Sequence, residues 1–337
     1  FNSAGDLFTY DADAEHDMGA PWYRPTRIDH LSSGADFGWR GRTGEWPPYY
    51  PDHADNSFPS ADIGKGSPTA LCSGLRTNFP GVYRRALFVL DWTYGRILAC
   101  HQIPRGAGWL CRTETFLKGR PLNVTDIAVG PDGCLYIITG GRGTESSLYR
   151  IRYTGPTTNS PRAMTQQQRA RQEFSERQRE LRRKLESFHG VTSPEAIDLA
   201  WSHLGSPDPV LRHAARVAIE HQPPESWADR ALAEKNWPIA VTVSLSLARS
   251  GNEKLFPAIL NKVTRLPLGK LSSYDTLSAV RAMALSIADP TVVDPAAVTN
   301  TRQFAAAWLA LMLTSPRISP TGAGGSVHRE LARLSLP

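Results

Sequence analysis

The sequence of 337 residues lacks the short motifs that identify several common classes of enzyme and metal protein. It has no HExxH, no glycine-rich phosphate loop and no GxSxG, so we expect neither a zinc protease of that type, nor a P-loop hydrolase, nor an α/β-hydrolase. It has no run of 18 apolar residues, so we expect no transmembrane segment. Its composition, 41% hydrophobic and 21% charged, excludes a disordered chain, a coiled coil or a collagen.

Cysteine is also scarce, and its spacing does not suggest a metal. The four cysteines are Cys72, Cys100, Cys111 and Cys134, and no two of them form the CxxC pair that holds zinc or attaches haem. We expect each to be a small buried residue in or beside a strand. A disulfide is the alternative, and it would require an oxidising compartment.

Composition and charge change together near residue 155. Residues 1–155 carry 16 basic and 16 acidic residues, so the whole net charge of +6 belongs to the remainder. Twenty of the 27 glycines and nine of the ten tyrosines precede residue 156, which is typical of strands and turns, whereas the alanine-rich remainder is typical of helices. We therefore predict three regions: a β domain over 1–155, a linker and basic helix over 156–192, and a helical region over 193–337.

The first region predicts antiparallel sheets. Short apolar or β-branched runs are separated by turn residues, and Pro131-Asp132-Gly133 between two such runs indicates a hairpin. No helical period separates the runs, which argues against a parallel α/β sheet. The predicted strands cover 7–10, 86–90, 96–101, 125–129, 135–139 and 148–153. Successive antiparallel sheets, as in a β-propeller, fit this pattern best.

A long segment between Met18 and Gly66 is rich in aromatic, glycine, proline and charged residues. A loop of this length is usually functional or packs on itself. It either lines a pocket for a polar ligand or only caps one face of the sheets. Its pocket candidates are Arg24, Arg27, His30, Asp36, Trp39 and Arg40.

Five motifs in a fixed order carry a resemblance to a known family. They are Glu15–Pro21, Asp36-Phe-Gly-Trp39, Gly66-Ser-Pro-Thr69, Tyr83–Trp92 and Asp126–Tyr136. In this order they resemble the last two or three blades of the glucose/sorbosone dehydrogenase type of β-propeller. The resemblance implies a multidomain β + α chain, with a partial propeller followed by helices. It adds Asp91, Trp92 and Asp126 to the pocket candidates.

A closer resemblance is to one branch of that family. Residues 16–27, 86–95, 140–146 and 203–222 resemble the membrane-bound dehydrogenase-like, haem-binding proteins of planctomycetes. Those proteins join a propeller to a HEAT-like helical region and then to a c-type cytochrome domain. The resemblance implies an exported, periplasmic parent protein whose haem domain is not in this chain. No basic and apolar leader follows Phe1, so we expect the chain to be a piece of a longer protein.

The resemblance also implies a cofactor. Related dehydrogenases hold pyrroloquinoline quinone with Ca²⁺, and a histidine in an earlier blade takes the proton of the sugar hydroxyl. In those dehydrogenases an Arg-x-Arg pair and a lysine bind the quinone carboxylates, because cations pair with carboxylates. Here those positions carry Asn123, Thr125 and Thr93, while Thr69 matches a threonine of the quinone site. Arg142, in a glycine-rich loop, is a candidate for a substitute charge.

The second and third regions predict helices, which are stacked in the third. Arg162–Glu186 has eight basic and four acidic residues interspersed, which favours a solvated linker helix over a nucleic-acid-binding one. Ser206 before Pro207 predicts an N-cap, and a similar helix begins at Pro238. Between these two helix starts, one apolar helical face is formed by Leu211, Ala214, Ala215, Ala218 and Ile219. The pattern indicates a HEAT-like solenoid. His203, His213 and His221 have no metal-ligand spacing.

Two functions remain as hypotheses from the sequence. The first is a fragment of an exported oxidoreductase that oxidises a sugar or polyol and passes electrons to the absent haem domain. The second is a non-catalytic module that binds carbohydrate through the propeller or a protein partner through the solenoid. We expect no nucleic-acid partner.

Overall fold

The computed structural model describes residues 1–12, 25–38, 53–156, 164–267, 270–288 and 294–314. It is a mixed protein of antiparallel sheets and helices. The chain divides into two compact units. Unit 1 contains residues 1–35, 39–49 and 58–179, and unit 2 contains residues 36–38, 50–57 and 180–337. None of the described helices is long and apolar enough to span a bilayer.

Unit 1 contains three antiparallel sheets whose strands follow chain order. The first sheet contains β1 (Leu7–Asp11), β2 (Thr26–Leu31) and β3 (Ala61–Gly64). The second contains β4 (Pro68–Ser73), β5 (Ala86–Asp91), β6 (Arg96–Arg105) and β7 (Gly108–Lys118), with the single turn α1 (Gly81–Arg84) before β5. The third contains β8 (Val124–Val129), β9 (Leu135–Gly141) and β10 (Thr144–Ile151).

The four-stranded sheet is covered on both faces, which is why all six residues of β5 are buried. Successive side chains of a strand point to opposite faces. Phe88 and Leu90 join a core with Val124 and Leu135 of the third sheet. Leu87 and Val89 join a second core with Phe8, Tyr10 and Ile28 of the first sheet. The three sheets therefore pack face to face in chain order.

Unit 2 is built from helices. They are α3 (Pro194–Trp201), α4 (Pro209–Glu220), α5 (Ala228–Ala233), α6 (Trp237–Arg249), α7 (Phe256–Val263), α8 (Ser273–Ser286) and α9 (Pro295–Thr314). Helix α6 packs against both α4 and α8. The basic helix α2 (Gln166–Glu186) precedes them and crosses from residues of unit 1 into residues of unit 2.

Helix α4 shows how local sequence sets a helix boundary. The predicted N-cap at Ser206 is wrong: Asp208 is the cap, and its carboxylate accepts hydrogen bonds from Val210 N and Leu211 N. Pro209 follows at the first helical position, where its missing N–H costs nothing. Asp208 replaces Ser206 because a helix that starts at Pro209 leaves those two amides without partners.

Candidate functional site

Four of the predicted site residues lie together at the strand ends of unit 1. The Thr69 hydroxyl, in β4, donates to Val124 O at 2.9 Å. The indole of Trp92, just after β5, donates to Gly140 O at 2.7 Å. Arg142 follows β9, and its guanidinium lies 5.6 Å from the centre of the Trp92 ring. Asp91 directly precedes Trp92 in the chain. Because Thr69 and Trp92 donate to carbonyls of β8 and β9, the second and third sheets meet at this cluster.

Asp91 is fully buried and supports the loop around it. Its carboxylate accepts hydrogen bonds from Ser67 N at 3.0 Å and from Arg96 Nε at 2.8 Å. A buried carboxylate that is paired in this way holds its neighbours in place. Asp91 therefore positions the start of β4 and the turn that carries Trp92.

Arg142 adopts an unusual backbone conformation, with φ of 50°. That region is unfavourable for a residue with a side chain, and such residues cluster at functional sites. The conformation places the Arg142 guanidinium over the Trp92 ring. Nearby in sequence, Arg96 stacks on Tyr94, which is exposed. This surface therefore presents aromatic rings and guanidinium groups, which suit a polar ligand.

The side chains at the positions that the resemblance assigns to the quinone do not fit pyrroloquinoline quinone. Asn123 Nδ2 donates to Trp92 O at 3.1 Å, and Thr125 Oγ1 donates to Ile138 O at 3.1 Å. The hydroxyls of Thr93 and Ser67 lie 2.6 Å apart. All of these side chains are neutral and bonded within the protein, whereas the carboxylates of the quinone need cations. Among the described residues, no three His, Cys, Asp or Glu side chains form a group that could hold a metal ion.

The other predicted pocket residues lie elsewhere. Arg27 and His30 are in β2 of the first sheet, where Arg27 Nε lies 3.2 Å from Asp62 and His30 Nε2 lies 3.7 Å from Asp6. Asp126 is exposed on β8. Asp36 belongs to unit 2, where its carboxylate accepts a hydrogen bond from Gly38 N. Arg24, Trp39 and Arg40 lie outside the described residues. Their role in a pocket stays a prediction.

Sequence reasoning missed a cluster of charged residues in unit 2. Asp55 is buried, and its carboxylate lies 3.0 Å from Arg281 Nε and 2.5 Å from Arg249 Nη1. Arg216 Nη2 donates to Asp55 O at 3.1 Å, and the Tyr274 hydroxyl donates to Ala54 O at 2.9 Å. Helices α4, α6 and α8 therefore hold the short segment 53–57.

One sequence signal could have found this cluster. Arg249 follows Arg216 by 33 residues, and Arg281 follows Arg249 by 32, so one arginine recurs on the alternate helices α4, α6 and α8. Burial raises the pKa of Asp55, but the charges of Arg281, Arg249 and Arg216 oppose it and lower that pKa to about 2. The carboxylate is therefore ionised at neutral pH.

All four cysteines lie in or beside strands, as predicted, but only Cys100 and Cys134 are buried, whereas Cys72 and Cys111 are half-buried. Cys72 is in β4, Cys100 in β6 and Cys111 in β7, and Cys134 immediately precedes β9; all four are free thiols. A hydrogen bond with Cys111, together with burial, raises the pKa of the Cys100 thiol. Burial likewise raises the pKa of Cys72. Thiols with raised pKa values are poor nucleophiles at neutral pH.

No family model matches the chain, and no curated protein matches it. One solved structure that is similar in part is a crystal structure of an oxidoreductase, described as a glucose dehydrogenase, from Thermus thermophilus. The sequence identity is 21% and the TM-score 0.31, over 44% of this chain. The match spans 42% of the length of that protein.

Proposed function

We propose that unit 1 belongs to a β-propeller of the glucose/sorbosone dehydrogenase type and that unit 2 is a HEAT-like scaffold. The ordered motifs between Glu15 and Tyr136 support the first part, together with three antiparallel sheets packed face to face. The packing of α6 between α4 and α8 supports the second. The parent protein would be exported to the periplasm, with its c-type haem in another domain.

Within this architecture, we propose that the chain binds carbohydrate at the strand-end cluster and does not hold pyrroloquinoline quinone. The observation that carries this proposal is the hydrogen bonding of Thr69, Thr93, Asn123 and Thr125 within the protein. At the positions that bind a quinone in that family, the side chains of this chain bond to other residues of unit 1 instead. Trp92 and Arg142 remain as an aromatic and cationic surface for a sugar.

A glycan array with the full chain tests this function. We expect the wild-type protein to bind a subset of glycans, and Arg142→Ala to weaken that binding about tenfold, because Arg142 supplies charged donors. The matched control is Arg152→Ala, an exposed arginine of unit 1 outside the cluster, which should bind as the wild type does. Equal binding by the Arg142 and Arg152 variants would exclude the cluster as the sugar site.

The second candidate function is oxidation of a sugar or polyol by the parent protein, and the charge of Arg142 is the observation that favours it. Calorimetric titration of the chain with pyrroloquinoline quinone and Ca²⁺ distinguishes the two functions. We expect no heat of binding. Stoichiometric binding that is lost in Arg142→Ala would favour the dehydrogenase and overturn the proposal that the chain does not hold the quinone. A dye-reduction assay of the full-length parent over an aldose panel would then identify the substrate.

A further inference from the structure

Unit 2 contains a cavity of about 410 Å³ between α5, α6 and α7. Pockets of roughly 300 to 1,000 Å³ commonly hold small ligands. Its apolar wall includes Leu232, Ala240 and Leu266, and the Trp237 ring lies at its edge with 38% of the residue exposed. This pocket lies outside the strand-end cluster of unit 1, so an inference about it does not depend on the function proposed above.

The charges that line the cavity are mostly positive. The lining residues include three cations, which are Lys235, Lys262 and Arg265, and one carboxylate, that of Glu234. The Glu234 carboxylate is already bonded: it accepts from Trp201 Nε1 at 2.9 Å, from Lys235 N at 2.8 Å and from Asn236 N at 2.7 Å. The cavity therefore has more positive charge than its own acid can satisfy.

Lys262 lies in a fixed position beside the apolar wall. Its ammonium donates to Leu232 O at 3.0 Å and to Glu234 O at 2.7 Å, which are carbonyls at the end of α5. An ammonium has three N–H donors, so one remains for another acceptor. Desolvation by burial lowers the pKa of Lys262, opposed by the charge of Glu234. An anion at the spare donor would compensate for this lost hydration.

We propose that this cavity binds a small organic acid with an aromatic or apolar body and one carboxylate. The apolar wall and Trp237 would contact the body, while Lys262 and the exposed Arg265 and Lys235 would pair with the carboxylate. A fourth cation, Lys270, already lies 5.2 Å from the centre of the Trp237 ring, which adds positive charge at the same edge. Neutral molecules of the same shape would gain only the apolar contacts.

Calorimetric titration of the full chain with naphthoate, and with naphthylmethanol as the uncharged analogue, tests the proposal. We expect naphthoate to bind about tenfold more tightly than the alcohol, since the charged pair contributes a charge-assisted hydrogen bond. Added salt should reduce that difference, because exposed charges are screened. Equal affinity for the acid and the alcohol, or no binding of either at millimolar concentration, would overturn the proposal.

Two variants test whether naphthoate binds in this cavity. Lys235→Ala with Arg265→Ala removes two exposed cations and should weaken naphthoate about tenfold while leaving naphthylmethanol unchanged. Lys254→Ala, an exposed lysine of unit 2 that does not line the cavity, is the control and should bind both probes as the wild type does. Unchanged naphthoate affinity in the double variant would assign the binding to another surface and contradict the proposal.

Discussion

At the scale of single residues, Asp55 lies at the centre of the charged cluster of unit 2. One buried carboxylate contacts arginines from α6 and α8, while a third arginine, from α4, bonds its backbone. Removing one partner of a buried ion pair is costly because the remaining charges stay buried without compensation. Glu220 compensates part of that loss, since it also pairs with Arg216 and Arg249.

We predict that Asp55→Asn lowers the free energy of unfolding of unit 2 by about 3 kcal/mol at pH 7. The measurement is urea unfolding followed by circular dichroism at helical wavelengths. The control is Asp198→Asn, which removes an exposed ion pair with Arg230 and should cost less than about 1 kcal/mol. Similar losses in the two variants would show that Asp55 behaves as a surface charge.

The same residue predicts a pH dependence. The pKa of Asp55 is about 2 when folded, below its usual 3.8, so its contribution is complete above pH 4 and is lost as the pH falls through 2. The pKa difference corresponds to about 2 kcal/mol. The difference in unfolding free energy between wild type and Asp55→Asn should therefore shrink by about 2 kcal/mol as the pH falls from 4 to 2. A gap that stays constant to pH 2 would contradict this assignment.

At the scale of elements, the hairpin of β8 and β9 depends on its turn. Gly133 has φ of 72°, which favours glycine, and a Cβ there would meet the Asn78 side chain at 2.4 Å. Asn78 cannot move freely, because its Nδ2 donates to Asp132 O and its backbone N donates to Gly133 O. The Pro-Asp-Gly sequence thus sets both the turn and its attachment to the rest of unit 1.

We predict that Gly133→Ala destabilises unit 1 by about 2 kcal/mol, which combines backbone strain with displacement of Asn78. Gly143→Ala is a matched control: its φ is 78°, but nothing lies within 4 Å of the new Cβ, so only the strain of about 1 kcal/mol applies. Thermal unfolding of both variants gives the comparison. A larger loss for Gly143→Ala would mean that the contact with Asn78 is unimportant.

At the scale of the whole molecule, the net charge of +6 does not indicate a nucleic-acid partner. Several basic groups of α2 are already used: Arg179 is buried and lies 4.5 Å from the centre of the Trp109 ring, and Arg182 is buried and paired with Glu186. Lys184 lies 3.8 Å from Glu195. Such contacts leave fewer cations to neutralise phosphates.

We therefore predict that the chain binds single-stranded and duplex DNA no more tightly than about 100 µM at physiological salt, which is the weak end of non-specific binding. Fluorescence anisotropy with a labelled oligonucleotide measures this, and an oligolysine peptide of the same net charge is the positive control. Submicromolar affinity with a steep salt dependence would contradict the interpretation of α2 as a linker helix.

Local patterns were enough to place several elements of this protein. The runs at 86–90, 125–129 and 135–139 are strands, as predicted, because β-branched and apolar residues between turn sequences have few alternatives. The same reasoning placed the start of the helix near Pro238. It missed β7, since four consecutive polar residues, Arg112–Thr115, interrupt the apolar residues of Gly108–Lys118.

Tertiary packing decided what local patterns could not. The polar environment of Asp55 depends on residues 161 to 226 positions away in the chain, and no spacing within the loop reveals them. Likewise, Asn123 and Thr125 could be recognised from sequence as departures from a family motif, but only the structure shows their hydrogen bonds to Trp92 and Ile138. Secondary structure follows from neighbours along the chain, whereas a site depends on which distant residues become neighbours on folding.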